Sequence, residues 1–365
     1  MPNGVRTVFW RLRRAAARLH QQGHGWLSVA LACLPKAIAR RAYRRTAVVA
    51  NRRLLNPLCN DRQLQIFAAS LTRPSGTRFF VIVMPGVMHF LLPCLGLLPP
   101  SVDLVFIHNG STGDEDDVLR RLYPQHPHFR LKILPGSSLP HGDVLTLLLR
   151  HSNDDFGIID HDLYLFDQTV FDRLVFSDDE VLLGLFGGLN REANLAYPHT
   201  FFLYFRAEAM RGLMERHKVT ARMYRRAPRR FRRQLAEIGI RPGHYLKDYL
   251  DFYDTLQLLV AIAYSEGLRP GFIPLADPTD AVHVGGTSSG TQAVNMDLAS
   301  LYVRAQFLEL ACNAMLPNRY RNTPGRFHSA AEIRPLLRRN PDVLRMLAVL
   351  DRLMARLKTA DEVSA

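Results

Sequence analysis

The chain reads Phe156-Gly-Ile-Ile-Asp-His-Asp-Leu-Tyr-Leu-Phe-Asp167 near its middle, and this segment carries the strongest structural and chemical signal of the sequence. Phe156 to Ile159 are mostly bulky or β-branched residues, which is typical of a buried strand. Because side chains alternate along an extended chain, Asp160 and Asp162 are expected to point the same way. Two carboxylates at an open strand end suit a divalent cation that holds a diphosphate. Aspartate at a strand end also commonly caps a turn, so that alternative stays open.

The segments on either side alternate between apolar strands and helices. We predict strands at 79–84, 102–107, 130–134, 156–159, 181–185 and 200–205, and helices at 87–98, 114–122, 143–150, 254–266, 294–313 and 330–358. Such alternation indicates an α/β fold with a mostly parallel sheet and flanking helices. Ligands of these sheets bind at the carboxyl ends of the strands. Asn109-Gly-Ser111 and Asp160-His-Asp162 both follow predicted strands, so we expect them on the same edge of the sheet.

Length and composition indicate a globular protein with a large core. The chain has 365 residues, 47% of them hydrophobic, which is enough for one large domain with additions or for two domains. Its four cysteines, at positions 33, 59, 94 and 312, show no C-x-x-C spacing. This pattern favours reduced thiols in a cytosolic setting over a disulfide framework or a zinc site.

The basic charge is concentrated in two segments. The formal net charge is +14, yet residues 1–53 carry twelve Lys or Arg and no acidic residue, and residues 216–233 carry nine more and again no acidic residue. The remainder holds 26 basic and 33 acidic side chains, a net charge of −7. No helix-turn-helix, zinc-finger or RNP pattern accompanies the charge, so nucleic acid is not the expected partner. Residues 216–233 fit a phosphorylated glycan, a lipid-linked acceptor or a membrane surface, or they form an ordinary solvated helical face.

The N-terminal segment shows no signal for crossing a membrane. No stretch reaches the roughly 20 apolar residues of a spanning helix, and the layout of a signal peptide is absent. We predict amphipathic helices within residues 5–48 that either lie on an anionic membrane surface or pack on the domain, and the sequence favours neither. The expected location is therefore cytoplasmic, and peripheral at the inner face of the membrane if the first alternative holds.

Several short motifs occur in an order that resembles a nucleotide-sugar glycosyltransferase of the GT-A fold, in the general style of family 2. The resemblance covers 78–290, more than half of the chain. After the first apolar strand the motifs are Asn109-Gly-Ser111, Leu139-Pro-His-Gly142, Gly157-Ile-Ile-Asp-His-Asp162, Tyr253-Asp-Thr255 and His283-Val-Gly-Gly-Thr-Ser288. It implies a Rossmann-like, mostly parallel sheet with flanking helices, together with helical N- and C-terminal extensions.

The resemblance implies a metal centre with a DXD motif. Asp162 would hold Mn²⁺ or Mg²⁺, and His283 matches the downstream histidine that completes the site in many relatives. Asp160 would lie near the ribose or reach the ion through water. A buried histidine beside a glycine-rich turn is the alternative for His283. His161 is expected to point away from the ion.

The resemblance also implies residues that bind the donor and activate the acceptor. Asn109 and Ser111 match positions that contact the base or ribose, although Asn-Gly is also a common turn dipeptide. Gly285 and Gly286 open a loop whose N–H groups can approach phosphate oxygens, or that is only a mobile loop.

A general base is expected near the acceptor hydroxyl. Asp254 matches the acidic motif of the family before a helix, with Asp251 as the second candidate. The alternative for Asp254 is a helix N-cap, a role that aspartate fills by preference. Because the usual Glu-Asp pair of the family is absent, the sequence leaves the stereochemical outcome open.

These observations predict a metal-dependent glycosyltransferase of the hexosyltransferase type. It would move a sugar from a nucleoside-diphosphate-sugar onto a glycan or lipid-linked acceptor, in bacterial surface polysaccharide biosynthesis. A nucleotidyltransferase is an alternative, disfavoured because residues 84–89 lack a Gly-rich loop with Lys or Arg. The second alternative is an inactive, basic scaffold or binding protein with this fold. We expect a basic helical extension over 1–72, the catalytic domain over 73–292 and a helical C-terminal region over 293–365.

Overall fold

The structure, a computed structural model, describes residues 39, 42–43, 46–72, 76–285, 298–317, 320, 329–337 and 341–364. The strands are β1 Thr77–Val83, β2 Val102–His108, β3 His128–Arg130, β4 Phe156–Ile159, β5 Leu163–Leu165, β6 Glu180–Gly184, β7 Gly187–Asn190, β8 Leu195–Pro198, β9 Phe202–Phe205, β10 Arg269–Phe272 and β11 Ala281–His283. The α-helices are α1 Asp61–Ser70, α2 Met88–Leu95, α3 Gly113–Leu122, α4 His141–His151, α5 Ala207–His217, α6 Arg232–Glu237, α7 Gln257–Ser265, α8 Leu298–Leu308, α9 Ala330–Leu337 and α10 Pro341–Ser364.

Seven strands form the central sheet in the order β3-β2-β1-β4-β9-β6-β10. β1 pairs in parallel with β2 and β4, β2 pairs in parallel with β3, and β6 pairs in parallel with β10. β9 runs antiparallel to both of its neighbours, β4 and β6. The predicted α/β fold, with a mostly parallel sheet and flanking helices, is confirmed.

The sheet separates two apolar cores, because successive side chains of a strand face opposite sides. Phe79, Val81 and Val83 of β1 belong to the core that includes α2 and the C-terminal helices. Phe80 and Ile82 belong to the core that includes α4, α5 and α7. A strand buried on both faces needs apolar residues throughout, which explains the continuous apolar run in this part of the sequence.

A short antiparallel ribbon lies apart from the main sheet. β11 pairs with β5 so that His283 lies opposite Leu163. The C-terminal helix α10 holds this ribbon in place, since Arg356 donates to Asp280 Oδ1 at 2.8 Å and covers the ring of Phe166 at 3.7 Å. The ribbon therefore brings a late segment of the chain to the carboxyl end of β4.

The third strand ends earlier than the sequence predicts, at Arg130. Beyond it, side chains of the preceding helical segment take the place of a strand partner. Asn60 accepts from the N–H of Lys132 at 2.7 Å and donates to its carbonyl at 2.9 Å, and Asn51 accepts from the N–H of Leu134 at 2.9 Å. Buried amides satisfy this backbone, so no ladder is needed.

Helix boundaries also differ from the prediction, and the helices predicted over 87–98 and 294–313 end earlier, at Leu95 and Leu308. The predicted helix over 254–266 begins at Gln257, because Leu256 adopts a left-handed backbone with φ of 68° that no helix can contain. The predicted helix over 330–358 is two helices, α9 and α10.

The N-terminal extension is described only in part. Residues 1–38, which hold most of the predicted amphipathic helices, lie outside the described residues. Helical residues 46–50 continue into a π-helix, Asn51–Asn60, and then into α1. Among the helices in the described part of the chain, none has the length and apolar character required for a membrane span. The boundaries between the three predicted regions stay predictions.

Candidate active site

The acidic pair lies where β4 meets the edge of the sheet. The N–H of Asp160 still bonds to the carbonyl of Phe201, at 2.9 Å, and the N–H of Leu163 then bonds back to the carbonyl of Asp160, at 3.3 Å. The chain therefore turns within the pair rather than continuing as a strand. Asp160 and Asp162 converge as predicted, but they converge through this turn and not through strand alternation.

His283 joins the pair from the ribbon. Its Nε2 lies 3.2 Å from Oδ1 of Asp162. The N–H of the next residue, Val284, bonds to the carbonyl of Asp162 at 3.1 Å, and the imidazole stacks on Phe201 with ring centroids 4.1 Å apart. The three side chains thus form a cluster in which one ligand atom of each of Asp160, Asp162 and His283 lies within 4.8 Å of the others.

The electrostatics of this cluster favour a cation. Burial raises the pKa of Asp160, and the charge of Asp162 raises it further, while His141 acts in the opposite direction. Burial lowers the pKa of His283, but the hydrogen bond and the charge of Asp162 outweigh it and raise the pKa above its usual value. Two crowded carboxylates in a buried setting gain from positive charge between them. Two hard oxygens and one imidazole nitrogen fit Mn²⁺ or Mg²⁺, and His161 is not part of the cluster.

His141 is a site residue to which the sequence analysis assigned no role. It begins α4, and its Nε2 is buried without a hydrogen-bond partner among the described residues. The first turn of this helix is anchored by the buried carboxylate of Asp143, which pairs with Arg52 at 2.7 Å and with Arg222. His141 is therefore held near Asp160 with a polar atom that the protein itself leaves unused. Its place in the Leu139-Pro-His-Gly142 motif was the available signal.

Asp254 is not the N-cap of α7, because Leu256 occupies that position. Its Oδ2 pairs instead with the buried Nζ of Lys247 at 2.9 Å, and its Oδ1 accepts from the N–H of Thr255 at 2.8 Å. Lys247 is a second residue that sequence analysis missed, since a lysine in a loop has no local signature. The other base candidate, Asp251, is exposed.

His199 connects Asp254 with the acidic cluster. Its ring stacks on Phe201, which in turn stacks on His283. Burial lowers the pKa of His199, and the charges of Lys247 and His283 lower it further, whereas Asp254 raises it. The same histidine is thus close to both groups.

The two positions expected at the nucleotide are engaged in structural contacts. Asn109 is fully buried, and its amide donates to the carbonyl of Leu139 at 2.9 Å and accepts from the N–H of that residue at 2.8 Å. Ser111 donates to Asp116 Oδ1 at 2.6 Å, beside His108. The bonds of Asn109 fix the segment that leads into α4, and the bond of Ser111 ties the segment after β2 to α3. Contact of either residue with a nucleotide stays a prediction.

The glycine loop is described only at its start. Gly285 has a φ of 68°, a backbone conformation that favours glycine, and it directly follows the residue that bonds to Asp162. Gly286 lies outside the described residues. A phosphate-binding role for this loop stays a prediction.

Comparison with known proteins agrees with the class of protein that the motifs and fold indicate. Residues 58–210 match the family described as StrH glycosyltransferase N-terminal domain. This segment contains β1 to β9 and the acidic pair, whereas Lys247, Asp254 and His283 follow it. The match covers less than half of the chain and shows that this segment is similar to glycosyltransferase N-terminal domains. Membership of GT-A family 2 stays a prediction.

Two solved structures of glycosyltransferases resemble the chain distantly. The apo structure of the bifunctional glycosyltransferase WbbM is 10% identical with a TM-score of 0.36, covering 56% of this chain and 40% of that one. GlyE of Streptococcus pneumoniae TIGR4 is 10% identical with a TM-score of 0.35, covering 77% of this chain and 64% of that one. The chain spans less than two thirds of either protein, and at these TM-scores neither likeness adds evidence. Among curated proteins, the comparison found no match.

Proposed function

We propose that the chain is a metal-dependent glycosyltransferase that moves a sugar from a nucleoside diphosphate onto a glycan or lipid-linked acceptor. The observation that carries the proposal is the cluster of Asp160, Asp162 and His283, whose ligand atoms lie within 4.8 Å of one another. The cluster lies at the carboxyl end of β4, the edge of an α/β sheet at which ligands bind. These residues would hold Mn²⁺ or Mg²⁺, which when bound neutralises the charge that grows on the leaving diphosphate.

The Lys247–Asp254 pair would act on the acceptor. Asp254 would accept the proton of the acceptor hydroxyl as its oxygen bonds to the anomeric carbon and the bond to the diphosphate breaks. Lys247 and the N–H of Thr255 hold the carboxylate in a fixed orientation for this step. A role in bacterial surface polysaccharide biosynthesis at the inner face of the membrane is part of the proposal, and the acid-free basic segment 1–53 supports it.

Calorimetry tests the metal site and the donor together. We expect UDP, GDP or dTDP to bind in the presence of Mn²⁺ and to bind at least about tenfold more weakly without it. Asp162→Asn should remove the metal dependence. The matched control is Asp167→Asn, because Asp167 lies in the same segment but pairs with Arg173. Nucleotide binding that ignores Mn²⁺, or no binding to any nucleotide, would reject the proposal.

The products distinguish glycosyl transfer from nucleotidyl transfer. A glycosyltransferase releases a nucleoside diphosphate from the sugar nucleotide. A nucleotidyltransferase instead consumes a nucleoside triphosphate and a sugar phosphate and releases pyrophosphate. Release of the nucleoside diphosphate that depends on Asp162 supports the proposal, and pyrophosphate release contradicts it.

A further inference from the structure

A cavity lies in the 226–253 region, whose last residue directly precedes Asp254. Its volume is about 400 Å³. Eleven residues of the 226–253 region line it: Arg226, Ala227, Arg232, Leu235, Ile240, Arg241, Pro242, Gly243, His244, Tyr245 and Tyr253. Four of them are basic or imidazole side chains and none is acidic.

Three arginines of this cavity, two of which belong to the basic segment 216–233, differ from other arginines of that segment. Arg216, Arg222 and Arg233 pair with Glu266, Asp143 and Glu237. In contrast, no ion pair within the described part of the chain involves Arg226, Arg232 or Arg241, and all three are exposed. Guanidinium groups that converge on a concave surface without carboxylate partners favour a phosphate group, which they can bind in a bidentate manner.

Tyrosines connect the cavity with the candidate base. Tyr245 and Tyr253 pack edge to face in its wall, with ring centroids 5.0 Å apart. Tyr253 is also tied to the basic segment, because its backbone exchanges two hydrogen bonds of 2.8 Å with Tyr224. The next residue along the chain is Asp254. The 245–253 segment that supplies both tyrosines also carries Lys247, the partner of Asp254, so the cavity wall and the Lys247–Asp254 pair belong to one loop.

We propose that the cavity binds the phosphate or diphosphate group of the acceptor, a site separate from the cluster assigned to the donor diphosphate. This inference rests on the proposed function for its biological meaning, since it names the chemical class of the acceptor. Lipid diphosphates and sugar phosphates share this chemistry. Tyr245 and Tyr253 would pack against the part of the acceptor that carries the reacting hydroxyl.

Calorimetry with inorganic pyrophosphate, at constant ionic strength and without divalent metal, tests the site directly. We expect saturable binding to the wild-type chain that weakens about tenfold in Arg232→Gln and more in Arg226→Gln/Arg241→Gln. The matched control is Arg229→Gln, because Arg229 is an exposed arginine of the same segment that does not line the cavity. Equal weakening by Arg229→Gln, or no binding to the wild type, would overturn the inference.

Two further arms separate this site from the proposed function. Pyrophosphate binding without metal should be unchanged in Asp162→Asn, and its loss in that variant would place the anion at the acidic cluster and overturn the inference. Retained arginine-dependent binding in a chain without transferase activity would reject the proposed function and leave the anion site standing. Geranyl diphosphate and glucose 1-phosphate then distinguish the two acceptor sources, since the tighter ligand identifies the one in use.

Discussion

At the scale of single residues, the candidate site consists of charged groups that depend on one another. Lys247 is buried, and a buried ammonium is costly unless it is paired. Its partner Asp254 thus explains why the lysine is tolerated there, and the lysine fixes the orientation of that carboxylate. Asp162 and His283 form a comparable pair, with the imidazole 3.2 Å from the carboxylate.

Asp254→Asn should separate donor binding from transfer. The amide retains the hydrogen bond from Thr255 but cannot accept a proton, so we expect transfer to fall by about 10²- to 10⁴-fold with unchanged nucleotide affinity. Release of the nucleoside diphosphate and calorimetry measure the two effects. Asp251→Asn is the matched control. If that variant rather than Asp254→Asn stops transfer, the base is Asp251.

At the scale of elements, the ribbon of β5 and β11 decides whether Asp160, Asp162 and His283 form a cluster. Val284→Pro removes the N–H that bonds to the carbonyl of Asp162. We expect this change to displace His283 and to weaken Mn²⁺ binding at least about tenfold, while the free energy of unfolding falls by only about 1 kcal/mol. Val284→Ala retains the N–H and should bind Mn²⁺ like the wild type. Wild-type affinity in Val284→Pro would show that the ribbon bond does not position the site.

The strand that carries the acidic pair tolerates no side chain at Gly157. A Cβ there would collide with the ring of Phe79 on the neighbouring strand. We expect Gly157→Ala to lower the free energy of unfolding by about 2–3 kcal/mol, because the buried ring cannot move away without cost. The control is Gly113→Ala, since the space around Gly113 is open. Denaturant unfolding measures both, and equal stabilities would contradict the packing described here.

At the scale of the whole molecule, the hydrogen-bonded pair of His108 and the half-buried His128 predicts that the protein loses stability in acid. The pKa of His128 is lowered to about 4. Burial is the largest cause and the charges of His108 and Arg120 add to it, whereas the bond to the carbonyl of Tyr123 acts against them. Since the unfolded chain takes up this proton first, the contribution of His128 is complete above about pH 6.5 and is lost as the pH falls to about 4. Because the ring is partly exposed, we expect about 1–2 kcal/mol.

Denaturant unfolding between pH 7 and pH 4 measures this loss. His128→Phe retains the stack on Phe106 but has no proton to take up, so its stability should fall less over the same interval. A variant with the pH dependence of the wild type would show that other groups, such as the buried His89, account for it.

The sequence by itself determined the strands with continuous apolar runs, the mostly parallel sheet, and the position of the acidic pair after β4. These are consequences of local patterns, since burial on both faces of a strand requires apolar residues in succession. The position of His283 was also predicted, although from the order of motifs rather than from its local pattern.

Only the tertiary structure decided which distant groups meet. Three features depend on long-range packing. They are the β5–β11 register that brings His283 to Asp162, the pairing of Lys247 with Asp254, and the cavity lined by Arg226, Arg232 and Arg241. Such contacts leave no periodic trace in a single sequence, because each residue type is common in ordinary loops. Their chemistry arises only when the folded chain brings them together.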